Sequence, residues 1–375
     1  MQNAAIYCAR FLISLYTGLL PPLLPLFMKN LDLSLALTGS LVSVFSLFTS
    51  LLQPVFGWIA DRIGYKVFIE WSPLWVGASI GMLGFCDSYG LLALCLSVAG
   101  LGISAFHPAV FGYIGSLPSR NNSHAISLLL LWGSLGFVAG PLAVSLFTDF
   151  AGIGKSWFLL LPGAAITLAL LRSLAAKRET ITGHSDYTVS GMVQTIQSIR
   201  ALFMFATCIT IITMNLFCFT PIVWSTQGYS VVVIGTLLSV FTLGCAAGPV
   251  MGARLAEIIG EKKVILLATV LSLILLPCFV HVQQVEVKGA VFFFLGVALM
   301  FPYSIIIDFG QQHAPQHRAL VSSLLGGFAW GVGGLVILVT GPAAEILGVN
   351  RILDGLGVFL LINVVLIWFC SGFRR

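Results

Sequence analysis

Two residues able to do acid–base or charge chemistry stand inside long apolar runs: His107, in Ser104-Ala105-Phe106-His107-Pro108, and Arg10. An imidazole titrates near pH 6.5 when unperturbed, so at a watered site it can load a proton from one side and release it to the other. Pro108 brings no N–H, which leaves the Ser104 carbonyl without its helical partner and the helix locally irregular. The same ring could instead serve structure, by donating its N–H to that freed carbonyl. A second group of charges is written in Gly-Trp-Ile-Ala-Asp-Arg-Ile-Gly-Tyr-Lys (57–66), which places Asp61, Arg62 and Lys66 beside Gly57 and Gly64, and it has a counterpart around Glu257. A carboxylate near a helix N-terminus gains about 0.3–1 kcal/mol, or about 2 when partly buried. No HExxH, GxSxG, phosphate-cradling glycine loop or paired-carboxylate motif appears, so an enzyme is not expected. The eight cysteines lie singly in apolar stretches, without CxxC or His/Cys ligand spacing, and read as small buried hydrophobes. No cofactor and no metal are expected.

The elements that must hold these residues follow from composition. Only 8% of the 375 residues are charged, 58% are hydrophobic, and the mean hydropathy is +1.05. A soluble domain carries about 25% charged residues to coat its surface. This chain cannot do so, which excludes a soluble fold, disorder and nucleic-acid binding. It reads as an all-α integral membrane protein whose partner is the lipid bilayer.

About 20 apolar residues cross a bilayer as a helix. Twelve such spans are expected at 4–28, 36–60, 67–86, 90–114, 124–147, 156–175, 199–223, 229–252, 263–280, 289–311, 319–343 and 353–372. The first has no basic leader and no small-residue cleavage site, so it reads as a retained span. With both termini cytoplasmic, 13 Lys and Arg fall on the inner side, 4 on the outer side, and Arg10 within a span, which accounts for all 18. The net charge of +5 is then a topology signal.

The polar segment 176–198 divides the chain into six-span halves, 1–175 and 199–375, and the halves resemble each other. A shift of 196 residues pairs Ala60, Asp61, Gly64 and Lys66 with Ala256, Glu257, Gly260 and Lys262. Spans 4 and 10 share Phe106/Pro108 and Phe301/Pro302. Spans 5 and 11 share Trp132, Gly133, Gly136, Gly140 and Pro141 against Trp330, Gly331, Gly334, Gly341 and Pro342. Two six-helix repeats around a central cavity form the architecture of an alternating-access transporter.

The 57–66 segment resembles the loop 2–3 signature of the major facilitator superfamily, G-x-x-x-D-R-x-G-R-K, with Tyr65 where Arg is usual. Within that superfamily 16–27, 50–64, 100–108 and 322–335 are most similar to the fosmidomycin-resistance efflux group. The likeness covers all twelve spans and implies two six-helix bundles, a bacterial inner-membrane location, a small-molecule substrate and proton coupling. It departs from the pattern in helix 1, where Arg10 and Ser14 stand in place of a His and an Asp, and in span 4, where Leu96 replaces the Arg of many drug antiporters.

Asp61 lies at the cytoplasmic end of span 2, the same face as the N-terminus of span 11. A contact made only when that face closes would bias the outward-open state by up to about thirtyfold. Glu257 can do the same for span 5, near Ser123. The resemblance assigns this latch role to the signature, with Arg62 and Lys66 as ion-pair partners; the plainer alternative is that the charges only fix topology. Gly39, Ser43, Ser46, Ser50, Gln53 and Gly57 fall within about an 80° sector of span 2, a small-residue stripe suited to close packing on span 11. Gly136, Gly140 and Pro141 sit in a GxxGxxxGP run similar to an antiporter motif and are expected as a hinge. In the implied fold spans 1, 4, 7 and 10 line the cavity, offering Arg10, Ser14, Tyr16, His107, Asn215, Tyr303, Ser304 and Asp308 to substrate or proton. Arg10 could instead snorkel to the interface, and Asp308 could be wetted or capping. The expected function is proton-coupled efflux of a small drug-like or amphiphilic metabolite by a monomer, the alternative being an importer or uniporter on the same fold.

Overall fold

In a computed structural model, residues 2–116, 122–174, 193–194, 197–314 and 318–369 are described. Most of the segment 176–198, the termini beyond 369, and the side chain of Ser123 lie outside them. Twelve helices are long and apolar enough to cross a membrane: Ala4–Asn30, Leu35–Ile63, Lys66–Phe85, Tyr89–Gly115, Ala125–Ala151, Ile153–Leu174, Arg200–Thr226, Val231–Ile259, Glu261–His281, Val285–His313, Val321–Leu347 and Val349–Ile367. Each overlaps an expected span. The largest extension is in span 8, where Arg254, Glu257 and their neighbours continue the helix to Ile259. In hydrocarbon every backbone N–H and C=O must be satisfied within the segment, which leaves the helix as the local solution.

Several spans are locally broken. Span 1 is interrupted at Gly18–Leu19, and span 10 at Phe301–Pro302. Spans 2 and 11 each contain a π turn, Leu47–Leu51 and Leu324–Phe328. Span 4, where Pro108 suggested irregularity, instead continues as one helix over Tyr89–Ser116.

By their contacts the residues form two units. The first contains Met1–Leu33, Val44–Asp186 and Ser230–Gly235; the second contains Ser34–Ser43, Tyr187–Tyr229 and Thr236–Arg375. The start of span 2 thus groups with the second unit, and the start of span 8 with the first.

Within the first unit span 5 is seated directly on the backbone of span 1. A Cβ on Gly136 would stand 2.1 Å from the Phe11 carbonyl oxygen, and one on Gly140 would stand 2.6 Å from that of Leu15. The glycines expected as a hinge are therefore where two backbones meet. In the second unit span 11 approaches span 7 in the same way: a Cβ on Gly333 would lie 2.7 Å from the Thr210 carbonyl carbon, and the Thr210 hydroxyl donates to the Ala329 carbonyl at 2.8 Å. The second unit's core also holds a ring cluster, with Phe292 stacked between Phe241 and Phe279 at 4.1 and 4.3 Å and Trp224 edge-on to it at 5.6 Å. Gly136→Ala is expected to destabilise the protein by about 1–3 kcal/mol, because the obstructing atoms are main chain and cannot rotate away. Gly90→Ala, where a Cβ meets nothing within 4 Å, is the matched control and should be neutral or stabilising by up to about 1 kcal/mol. Thermal unfolding of the two variants in detergent compares them.

One sequence expectation about the cysteines is revised. Cys86 and Cys95 are not isolated: their sulfurs lie 3.8 Å apart. Burial, then the neighbouring Cys95, pushes the Cys86 thiol up to about 12, which keeps it protonated and poorly nucleophilic.

Candidate functional site

The loop signature is organised by its glycine. Gly64 closes the helix Gln53–Ile63 with φ 104° and ψ 149°, and Gly260 closes span 8 with φ 92° and ψ 150°. A side chain is strained at such angles, so the repeated glycine has a conformational reason, and the two repeats turn in the same way. Tyr65, at the position where the resemblance expects Arg, donates its hydroxyl to Asp61 Oδ1 at 2.6 Å. Its ring is accommodated because Gly112 of span 4 has no Cβ; one built there would fall 2.5 Å from the ring. Arg62 lies with its guanidinium carbon 3.6 Å from the centre of the Trp58 ring. Lys66 donates to the Leu174 carbonyl at 2.9 Å, capping the end of span 6. A Cβ on Gly57 would stand 3.4 Å from that of Pro108. Glu257 is exposed.

The small-residue stripe of span 2 splits at the π turn. Before it, Ser43 donates to the Gly334 carbonyl at 2.8 Å and Gly39 meets Ile337 of span 11. After it, Gln53 donates back to the Thr49 carbonyl at 2.9 Å and Gly57 faces span 4. A π turn carries an extra residue per turn, so the helical register that aligned all six residues on one face does not survive it.

Several cavity candidates are engaged by the fold. Tyr16 is buried and donates to the Leu159 carbonyl at 2.5 Å, tying span 1 to span 6. Ser14 is buried on the same helix. Asn215 is buried; its amide donates to the Ile211 carbonyl at 2.8 Å and its oxygen accepts from the Thr340 hydroxyl at 2.6 Å. Tyr303 donates to the Leu325 carbonyl, inside the π turn of span 11, at 2.8 Å and accepts from Trp330 at 2.7 Å. Ser304 donates to the Pro249 carbonyl at 2.9 Å. Asp308 is exposed and accepts from Gln312 one turn on, at 2.7 Å.

The remaining pair is brought together. Arg10 of span 1 donates through Nη1 to Nδ1 of His107 on span 4, whose Nε2 lies 3.4 Å from the same nitrogen. Both side chains are half-buried. A ring nitrogen that accepts from a guanidinium carries no proton. Protonating Nδ1 would therefore require Arg10 to withdraw. The ring accepts from Arg10, and among the described residues no bond from it to the carbonyl freed by Pro108 is seen.

One residue was missed by the sequence reading. Glu345, near the end of span 11, accepts the Ala36 backbone N–H at 2.7 Å, while the Ser34 hydroxyl accepts that of Leu37 at 3.2 Å. Together they cap the first turn of span 2, inside the second unit. The repeat held the clue: 196 residues separate Ser34 from Ser230 and Asp149 from Glu345, and the Ser230 hydroxyl accepts the Val233 N–H at 3.3 Å. Glu345→Gln is expected to loosen this end of span 2. A cysteine replacing Ala36 should then react faster with a membrane-impermeant maleimide than in the Glu345 background; equal rates would show that the carboxylate does not hold the turn.

The family model of the Major Facilitator Superfamily matches residues 6–338. The chain belongs to this superfamily. It is similar to the fosmidomycin resistance protein of Escherichia coli K12, with 25% identity over 91% of this chain and 86% of that protein. It is similar to the multidrug resistance protein MdtG of Escherichia coli 55989, with 25% identity over 77% and 74%. Among solved structures, the nucleoside transporter NupG superposes with a TM-score of 0.79 at 13% identity, covering 98% of both chains. A bacterial homologue of the lysosomal transporter Spinster does so at 0.72 and 16%, covering 99% and 95%. This superfamily member is a multi-pass protein of the bacterial inner membrane and a secondary transporter of small molecules, not an enzyme.

Proposed function

We propose that the protein exports a small drug-like or amphiphilic metabolite in exchange for protons, working as a monomer by alternating access between six-span halves joined by the 176–198 linker, with both termini in the cytoplasm. The observation that carries the coupling is the Arg10–His107 contact within the membrane spans. Protonation of His107 Nδ1 and the bond from Arg10 exclude each other, so the ring has two states that differ in where a side chain of span 1 is held. A titratable ring with two exclusive partners is a coupling element of the kind an intramembrane ionisable residue marks. Export is favoured over import because the fosmidomycin and MdtG relatives are named for resistance.

The loop signature fits a state-selecting role in this scheme. The Asp61 side chain is oriented by Tyr65, at the span end where a helix N-terminus of the other half would arrive on closure; Glu257 occupies the equivalent place in the repeat. The test is a susceptibility screen of cells lacking or overexpressing the protein. Export predicts that overexpression protects against, and deletion sensitises to, the same small set of compounds. Sensitisation by overexpression would support the importer.

A further inference from the structure

The proposed coupling leaves the charge on Arg10 unexplained. It lies six residues, about 9 Å along the helix, inside the Ala4 end of span 1. His107 lies eight residues, about 12 Å, inside the Gly115 end of span 4. A charged side chain at membrane depth costs free energy unless it is paired or faces water. Yet among the described residues no carboxylate pairs with Arg10. The acids of the first unit's described residues are Asp32, Asp61, Glu70, Asp87 and Asp149. Each lies in a loop or within five residues of a span end.

The side chain does not snorkel either. Its head is turned inward to His107, and its carbon lies 5.7 Å from the Phe111 ring. Nε is buried with no hydrogen-bond partner. The space it occupies exists because residue 133 is glycine; a Cβ there would fall 2.7 Å from Nε. One turn before His107 on span 4, the Ser104 hydroxyl is also buried and unpartnered. A guanidinium has five N–H donors in a planar fork, and the protein engages it here through Nη1 alone.

A half-buried cation at membrane depth with spare donors, and no acid among the described residues to neutralise it, is complementary to an oxyanion. Resting on the transport reading above, we propose that Arg10 is the recognition residue for an oxyanion, such as a carboxylate, on a substrate with a small apolar body, with His107 holding the guanidinium in place. Binding would engage the remaining guanidinium N–H groups in charge-assisted N–H···O bonds while Nη1 stays on the imidazole. Neutralisation of the cation would accompany loading, and protonation of Nδ1, which displaces Arg10, would release the anion in exchange for the proton.

The experiment measures binding to purified protein in detergent, without a gradient, using four probes on one ring: benzoate, phenylphosphonate, benzamide and phenyltrimethylammonium. The first two should raise the melting temperature in a concentration-dependent way, and the other two should not. Arg10→Gln should weaken binding of the anions roughly ten- to hundredfold, the range for a lost charge-assisted bond. Arg10→Lys, which keeps the charge but not the fork, should fall between wild type and Arg10→Gln. His107→Gln should retain the anion preference. Equal binding of anions and benzamide by wild type, or an unchanged anion preference in Arg10→Gln with normal melting, would overturn the proposal. Since no gradient or transport is involved, that outcome would leave the export reading standing. A protein that prefers anions but fails to move any compound would remove the export reading alone.

Discussion

Asp61→Asn is expected to reduce transport to near background while the amount of inserted protein and its melting temperature stay at wild-type levels. The substitution keeps the size and the hydrogen-bond acceptor used by Tyr65 and removes only the charge. A carboxylate at a partly buried helix N-terminus contributes up to about 2 kcal/mol, a population shift of about thirtyfold between the two states it distinguishes. Loss of that bias would leave the transporter unable to hold the outward-open state against its alternative. Arg62 provides the contrast: its guanidinium lies over the Trp58 ring, so a neutral residue there should reduce transport less. Uptake into membrane vesicles normalised to inserted protein gives the answer. Wild-type rates in a normally inserted Asp61→Asn protein would dismiss the latch.

His107→Gln should abolish accumulation driven by a pH gradient and leave exchange at equal pH intact. Glutamine still offers an oxygen to Arg10 Nη1, so the contact between spans 1 and 4 can persist, but it cannot take up a proton. The charged group facing the ring is Arg10; Phe106 lies against the ring and Phe111 against the guanidinium, and no described acid substitutes as a carrier there. Reconstituted protein assayed with and without an imposed gradient separates the two activities. Gradient dependence equal to wild type would make His107 a structural support for Arg10 and nothing more.

Hydropathy made all twelve spans legible, because a lipid-exposed helix must announce itself by a long apolar run. The repeat was legible for a different reason. Gly64 and Gly260 need the same positive φ, and backbone demands of this kind are written in residue type. The stripe of span 2, read through to Gly57, keeps its register only up to the π turn at Leu47–Leu51, since a wheel drawn at a constant angle cannot foresee such a turn. Asn215, Tyr16 and Tyr303 read as cavity residues because they are polar groups on apolar helices; in the fold each donates to a carbonyl, and Asn215 and Tyr303 also accept from a side chain of span 11. Arg10 and His107 were each noticed alone. Their contact joins residues 97 positions apart, which no local pattern encodes. Glu345 escaped because a lone acid near the end of a span reads as an interfacial charge, although the 196-residue offset to Asp149 was available.

Export driven by protons moving down their gradient is tested most directly in inverted membrane vesicles. A compound identified by the susceptibility screen is supplied to vesicles whose lumen is acidified by respiration, with a protonophore added midway. The account predicts accumulation inside the acidic lumen, collapse on protonophore addition, and no accumulation in vesicles carrying His107→Gln. Accumulation instead in right-side-out vesicles with acid outside, or equilibration indifferent to the protonophore, would contradict it.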